Sequence, residues 1–364
     1  MLVENISISI IKDSVGKKTA EASINGFSAS YPEGTSTGQH ELIPLEPEKA
    51  ISRFRTIEKQ FIGEFDQKSF DTLLMKNIKK LGTGLTTPLS MAFFSANYKQ
   101  INRFPNLLAN VFGGGSHASS AINIQEILVI PREKAIPLAV NRIKKIWKET
   151  CQNIPRNIPK KLTLENAWTA NISNTHALEI VADIAEKNNA RIGLDIAASQ
   201  LYHNGKYKWQ GMRLDRKEFL QEMLDIINSY DIFYIEDPVH EKDPKAYAYL
   251  KNRTNALICG DDLIATNLAR LKKYKDCINS VIVKPNQAGI ITGCMDVIEY
   301  SSKRRIMPVV SHRSRSTMNT VISKLATHAP LAKLGAAGYG LYRLEALVKM
   351  WKSCKRPKMA KIKL

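Results

Sequence analysis

The chain has 364 residues, 44% hydrophobic and 24% charged, enough for one large core with a smaller domain beside it. Its 53 basic side chains against 34 acidic ones give a formal net charge of +19, which suits anionic partners but is first a statement about solubility. The five cysteines (Cys151, Cys259, Cys277, Cys294, Cys354) are dispersed, which argues against zinc and a disulfide framework. No stretch reads as a signal peptide or membrane span, so the expected location is cytoplasmic.

In chain order, Ile6, Ile8 and Ile10 alternate with serines, and Ala20–Ile24 repeats the period after an Asp13–Gly16 turn. An antiparallel hairpin or meander is expected. From Pro47 to about Gln100 the pattern is helical, with a break expected at Gly82–Pro88. These elements make an α+β unit over residues 1–103. From 104 to 364 the rhythm changes. Short apolar runs (Ala190–Asp195, Ile232–Glu236, Ala256–Asp261, Ser280–Lys284, Met307–His312, Leu331–Lys333) alternate with helical stretches such as Lys217–Ile227 and Thr292–Lys303. Such runs read as parallel strands buried on both faces. Each ends on a charged or polar residue: Asp195, Glu236, Asp261, Lys284, His312, Lys333. An open sheet concentrates its ligand groups near one switch point, so groups at nearly every strand end favour a closed barrel.

Asp195, Glu236 and Asp261 in one mouth would repel one another unless a cation joined them, and hard oxygen donors without Cys or His suit Mg²⁺. Taken singly, each could instead cap a helix or pair with a lysine. Lys284 reads as a base if desolvation and neighbouring cations lower its pKa; otherwise it is an ion-paired lysine. Gly113-Gly114-Gly115-Ser116-His117 suits a mobile lid or a plain loop. Ser311-His312-Arg313-Ser314 offers a guanidinium and a hydroxyl to phosphate oxygens. The basic tail (Lys349, Lys352, Lys355, Arg356, Lys358, Lys361, Lys363) could neutralise phosphates, but no aromatic-interleaved basic motif accompanies it. A solvated, frayed end is expected there, with nucleic acid not the expected partner.

Gly34-Thr35-Ser36-Thr37-Gly38, Gly114-Gly115-Ser116-His117-Ala118, Gln125-Glu126, Asp195–Ser199, Ile235-Glu236-Asp237-Pro238, Gly260-Asp261-Asp262-Leu263, Lys284-Pro285-Asn286-Gln287 and Ser311–Ser314 occur in an order that resembles enolase (phosphopyruvate hydratase) from about Asp13 to Lys333. The resemblance implies a modified (β/α)8 TIM-type barrel under an N-terminal α+β capping domain. It implies interconversion of 2-phosphoglycerate and phosphoenolpyruvate, two Mg²⁺ per site and a homo-oligomer. Asp195, Glu236 and Asp261 would hold one ion, and Ser36 would help hold the second. Lys284 would be the base, and Glu165 the acid with a raised pKa, supported by Glu126. Arg313 and Ser314 would bind phosphate, Lys333 and Gln125 the carboxylate end, with His117 and His312 completing the substrate side. The alternatives are a relative acting on another phosphorylated or carboxylate substrate, and a non-catalytic anion-binding relative. The family's Ser-Arg-Gly-Asn-Pro-Thr turn is here Ser14-Val15-Gly16-Lys17-Lys18-Thr19, and a C-terminal Ser-Glu-Arg segment gives way to Gly340-Leu341-Tyr342. Both departures put a family-like dimer contact in question. Arg315 stands where the family has glycine, and could face solvent, replace a lost ion pair or admit a more highly charged ester.

Overall fold

A computed structural model describes residues 1–34, 42–118 and 121–362. The expected hairpin is present: Ile6–Lys12 pairs antiparallel with Lys18–Ile24, and Phe27–Ser30 adds a third strand. Its turn is fixed by the Asp13 carboxylate, which accepts from the Val15 and Lys17 amides at 3.0 and 2.9 Å.

Three helices, Pro47–Arg55, Gln67–Lys76 and Thr83–Ala96, belong to the same N-terminal part. The break expected over Gly82–Pro88 narrows to one residue, Gly82 at φ 65°, and the next helix runs through Pro88. The proline forfeits a helical hydrogen bond, but Leu85, Leu89, Ala92 and Phe93 are fully buried, and that packing outweighs the local cost.

Asp71 joins this part to the barrel. Its Oδ2 accepts from the amide and hydroxyl of Thr292, at 2.8 and 2.7 Å, in the first turn of the helix Ile291–Ser302, and its Oδ1 accepts from Ser90. Burial pushes the Asp71 carboxyl above its ordinary value against these hydrogen bonds. The native state therefore holds this proton more tightly than the unfolded chain. Its contribution to stability falls as pH rises from the ordinary carboxyl value through the raised one. Asp71→Ala is expected to cost about 3 kcal/mol by orphaning those donors, and Asp71→Asn to remove that share of the pH slope. Urea midpoints across a pH series check both.

Eight strands close the barrel in the order Asn106–Gly113, Glu126–Pro131, Ala190–Asp195, Tyr234–Glu236, Leu257–Gly260, Ser280–Val283, Met307–Ser311 and Leu331–Lys333, the last pairing back to the first. All six apolar runs read from the sequence are strands of this ring. The six runs lie parallel to one another as expected, and Glu126–Pro131, which is not one of them, runs antiparallel to both its neighbours. The reversal has a functional consequence. Glu126 begins its strand and Asp195 ends one, yet they are cross-strand partners, as are Asp195 and Glu236. A short hairpin, Lys160–Leu162 with Trp168–Ala170, extends the sheet beside Asn106–Gly113 and carries Glu165 at its turn.

The tail is not frayed up to Ile362. Lys358–Met359 pairs with Arg103–Phe104, the Ala360 amide donates to the Phe104 carbonyl at 2.7 Å, and Ile362 packs on the apolar cluster of Leu108, Ile130 and Phe233. No helix among the described residues is long and apolar enough to cross a membrane.

Candidate active site

One pocket gathers His117, Gln125, Glu126, Glu165, Asp195, Asp261, Lys284, His312, Arg313, Ser314 and Lys333, with Glu236 beneath it on Lys333. Every candidate among the described residues is thus in or against one site; Ser36 lies outside the described residues. The groups arrive from around the ring because successive strands end at the same level. Lys284 follows Ser280–Val283, three places round from Asn106–Gly113, against which the Glu165 hairpin packs. Base and acid candidates therefore enter from different walls.

Two lysines tie the carboxylates together. Lys333 Nζ lies 2.9 Å from Asp195 Oδ2, 2.9 Å from Glu236 Oε2 and 3.0 Å from Glu126 Oε2. Lys284 Nζ contacts Asp261 Oδ2, whose other oxygen accepts from Gln287 Nε2 at 2.9 Å. Gln125 donates to Asp195 Oδ2 at 3.2 Å, and Tyr234 to Glu236 Oε2 at 2.8 Å. On the other side, His312 Nε2 is 3.3 Å from Glu165 Oε2 while its Nδ1 donates to the Lys333 carbonyl at 2.8 Å. A neutral ring would turn a lone pair toward Glu165, so that contact is attractive only with a proton between the two groups. His117 Nδ1 is buried without a hydrogen-bond partner among the described residues, as a group awaiting a ligand would be.

Residues 102–349 match the family model described as "Enolase, C-terminal TIM barrel domain". The chain belongs to the enolase family. It is 30% identical to a protein named enolase from Archaeoglobus fulgidus, covering 100% of both chains. It is 33% identical to one from Natronomonas pharaonis (93% of this chain, 95% of the relative) and 31% identical to one from Methanosphaera stadtmanae (99% of each). An enolase-family function follows, on the barrel that the sequence reading anticipated.

The electrostatics of two positions answer to the charges that touch them. Lys284 is raised, as in the ion-paired alternative. Burial pulls it down, but the touching Asp261 carboxylate prevails over Arg313 and Lys333. Glu165 was to be raised; burial does push it up, yet His312, His117 and Lys333 together hold it well below the carboxylate range. Its neighbour Glu126 is pushed well above that range by burial, against the pull of Lys333. The ligand atoms of Glu126, Glu165 and His117 lie within 4.8 Å of one another, so these groups titrate as a coupled set.

The donor set fits a hard divalent cation. Asp195 and Glu236 are in register, all three expected ligands offer only oxygen, and Glu236 is pushed up to about 7 by burial and by Asp195, a deficit of positive charge at that spot. In their present rotamers Asp195, Glu236 and Asp261 answer to the two lysines and do not form one of the tight ligand groups; Asp237, Asp261 and Asp262 do. Asp237 is committed elsewhere, accepting from the amides of Asp261 and Asp262 and from the Tyr247 hydroxyl.

Several contributors escaped the sequence reading. Asp237 folds the Asp261–Asp262 loop, Gln287 holds Asp261, and Gln200 donates to Gln125 at 3.2 Å. The signal for Asp237 and Gln287 was their adjacency to the motifs. Gly34 has a steric reason: a Cβ there would lie 1.8 Å from Arg313 Nη2. The glycines before His117 also answer to packing, since a Cβ on Gly114 would meet the Ile122 carbonyl at 2.6 Å. Arg315 is neither solvent-facing nor aimed at a ligand. It is buried between Asp13 and Glu33, with Nη2 2.7 Å from the first and Nη1 2.7 Å from the second, and forms ion pairs across the two parts of the chain.

Proposed function

We propose that this chain catalyses the reversible dehydration of 2-phosphoglycerate to phosphoenolpyruvate, a step of glycolysis and gluconeogenesis, with residues 1–103 as the cap and 104–364 as the catalytic unit. The observation that carries this reading is the meeting of Lys284 with the Glu126–Glu165–His117 group in a pocket that also holds Arg313, Ser314 and Lys333. Lys284 takes the proton from C2 of the substrate, and Glu165 gives a proton to the hydroxyl leaving C3. Glu126 stores that proton and passes it to its partner as charge builds. Lys333 sits where the substrate carboxylate gains a second negative charge, and Arg313 and Ser314 bind phosphate. Mg²⁺ held by Asp195, Glu236 and Asp261 would supply further positive charge to that carboxylate. Lys284 must shed its proton before each turn, so the acids that now anchor it have to be satisfied by another cation.

The test follows phosphoenolpyruvate absorbance with purified protein, 2-phosphoglycerate and Mg²⁺. Turnover lost in EDTA and restored by Mg²⁺ is expected. No turnover at any Mg²⁺ concentration, with the fold intact, would transfer the site to another carboxylate substrate of the enolase family.

A further inference from the structure

The barrel end away from the pocket has a composition of its own. Nine short segments enter or leave the barrel strands there: 97–105, 132–135, 188–189, 230–233, 252–256, 275–279, 303–306, 327–330 and 354–362. They carry thirteen lysines and arginines against three carboxylates (Glu133, Asp231, Asp276). That net of +10 is more than half of the chain's +19. A random share would be far smaller, so the excess charge of this protein is gathered on one face.

These charges are largely uncompensated. Of the thirteen, only Lys275 and Lys303 have ion-pair partners among the described residues. All except Lys275 are exposed. Two of the arginines sit over rings, Arg253 at 3.8 Å from the Tyr249 centroid and Arg304 at 3.7 Å from that of Tyr300, and Arg191 lies over Phe233 at 4.3 Å at the edge of the same face. A stacked guanidinium keeps its N–H edge outward and loses little further freedom on meeting a phosphate. The tail brings four more charges, Lys355, Arg356, Lys358 and Lys361, and its pairing to Arg103–Phe104 fixes them across the barrel end instead of leaving them to solvent.

We propose that this end of the barrel is a nucleic-acid-binding surface that engages the phosphodiester backbone without reading bases. Fixed, uncompensated cations spread over one face match a repeating line of phosphates. The absence of insertable side chains separates this partner from a lipid surface. None of the exposed large hydrophobic residues of the described chain lies in the nine segments, so nothing there would enter a bilayer. Strands of four to six residues, at about 3.3 Å each, separate this face from the pocket by roughly 15 Å, so both ends can be occupied together. The surface has no linear motif because the topology assembles it from separate turns.

Anisotropy of a labelled oligonucleotide, as single strand and as duplex, is measured with the full chain at rising KCl. Binding is expected at low salt, with log K falling linearly against log [KCl]. Arg304→Gln/Arg305→Gln should lower the magnitude of that slope by about 2 and weaken binding roughly tenfold, while Arg304→Lys/Arg305→Lys keeps the slope. Both variants should retain wild-type turnover and melting temperature, which shows them folded. No binding to either oligonucleotide overturns the proposal. So does a slope unmoved in the glutamine variant, competition by 2-phosphoglycerate, or preference for phosphatidylserine vesicles over the oligonucleotides.

Discussion

Lys284→Ala is expected to lower turnover of 2-phosphoglycerate by about ten-thousand-fold while leaving the barrel folded. The side chain is partly buried and touches Asp261 on the wall away from the Glu165 hairpin, and among the described residues no other amine but Lys333 reaches the pocket. Lys333 is held by three carboxylates and driven well above its ordinary pKa; burial opposes that rise, and Asp195 and Glu126 lead it. It therefore cannot replace the missing base. Exchange of the C2 proton with deuterated solvent separates the two halves of the reaction. The alanine variant should lose this exchange, whereas Glu165→Gln should keep it and lose only the departure of hydroxide. Exchange in Lys284→Ala at the wild-type rate would place the base elsewhere.

Lys333→Met carries the second large effect, this time on stability. The substitution keeps length and apolar volume but leaves Asp195, Glu236 and Glu126 buried together with no cation among them. Breaking a buried ion pair on one side costs about 3–5 kcal/mol, and here one ammonium serves three carboxylates. The deficit should shrink as pH falls, because Glu236, at about 7, and Glu126, well above its ordinary range, then take up protons. Mg²⁺ should raise the melting temperature of the variant more than that of the wild type, since Asp195 and Glu236 regain a counterion. Equal shifts in the two proteins would mean that the ion binds elsewhere. Turnover should be lost in the variant at every Mg²⁺ concentration.

The six apolar runs were legible because strands buried on both faces leave continuous hydrophobic stretches, and each polar residue closing a run marked the pocket end. Glu165 and Glu126 were not legible from that rhythm. Glu165 sits on a hairpin outside the ring, and Glu126 opens a strand instead of closing one, so only the family resemblance found them. The antiparallel direction of Glu126–Pro131 was not legible either, because an apolar run carries no sign of its direction.

Sequence by itself determined the barrel, the residue types at its mouth and the family, because those follow from local hydrophobic pattern and from short contiguous motifs. Tertiary structure alone decided the direction of the site's pKa shifts and the gathering of cations at the far barrel end. Lys284 is raised and Glu165 lowered because of which charges touch them across the ring, and the cationic barrel end exists only once nine separate turns are brought together. Charge acts through space and falls with distance, so residues remote in the chain set it, and no window along the sequence contains them.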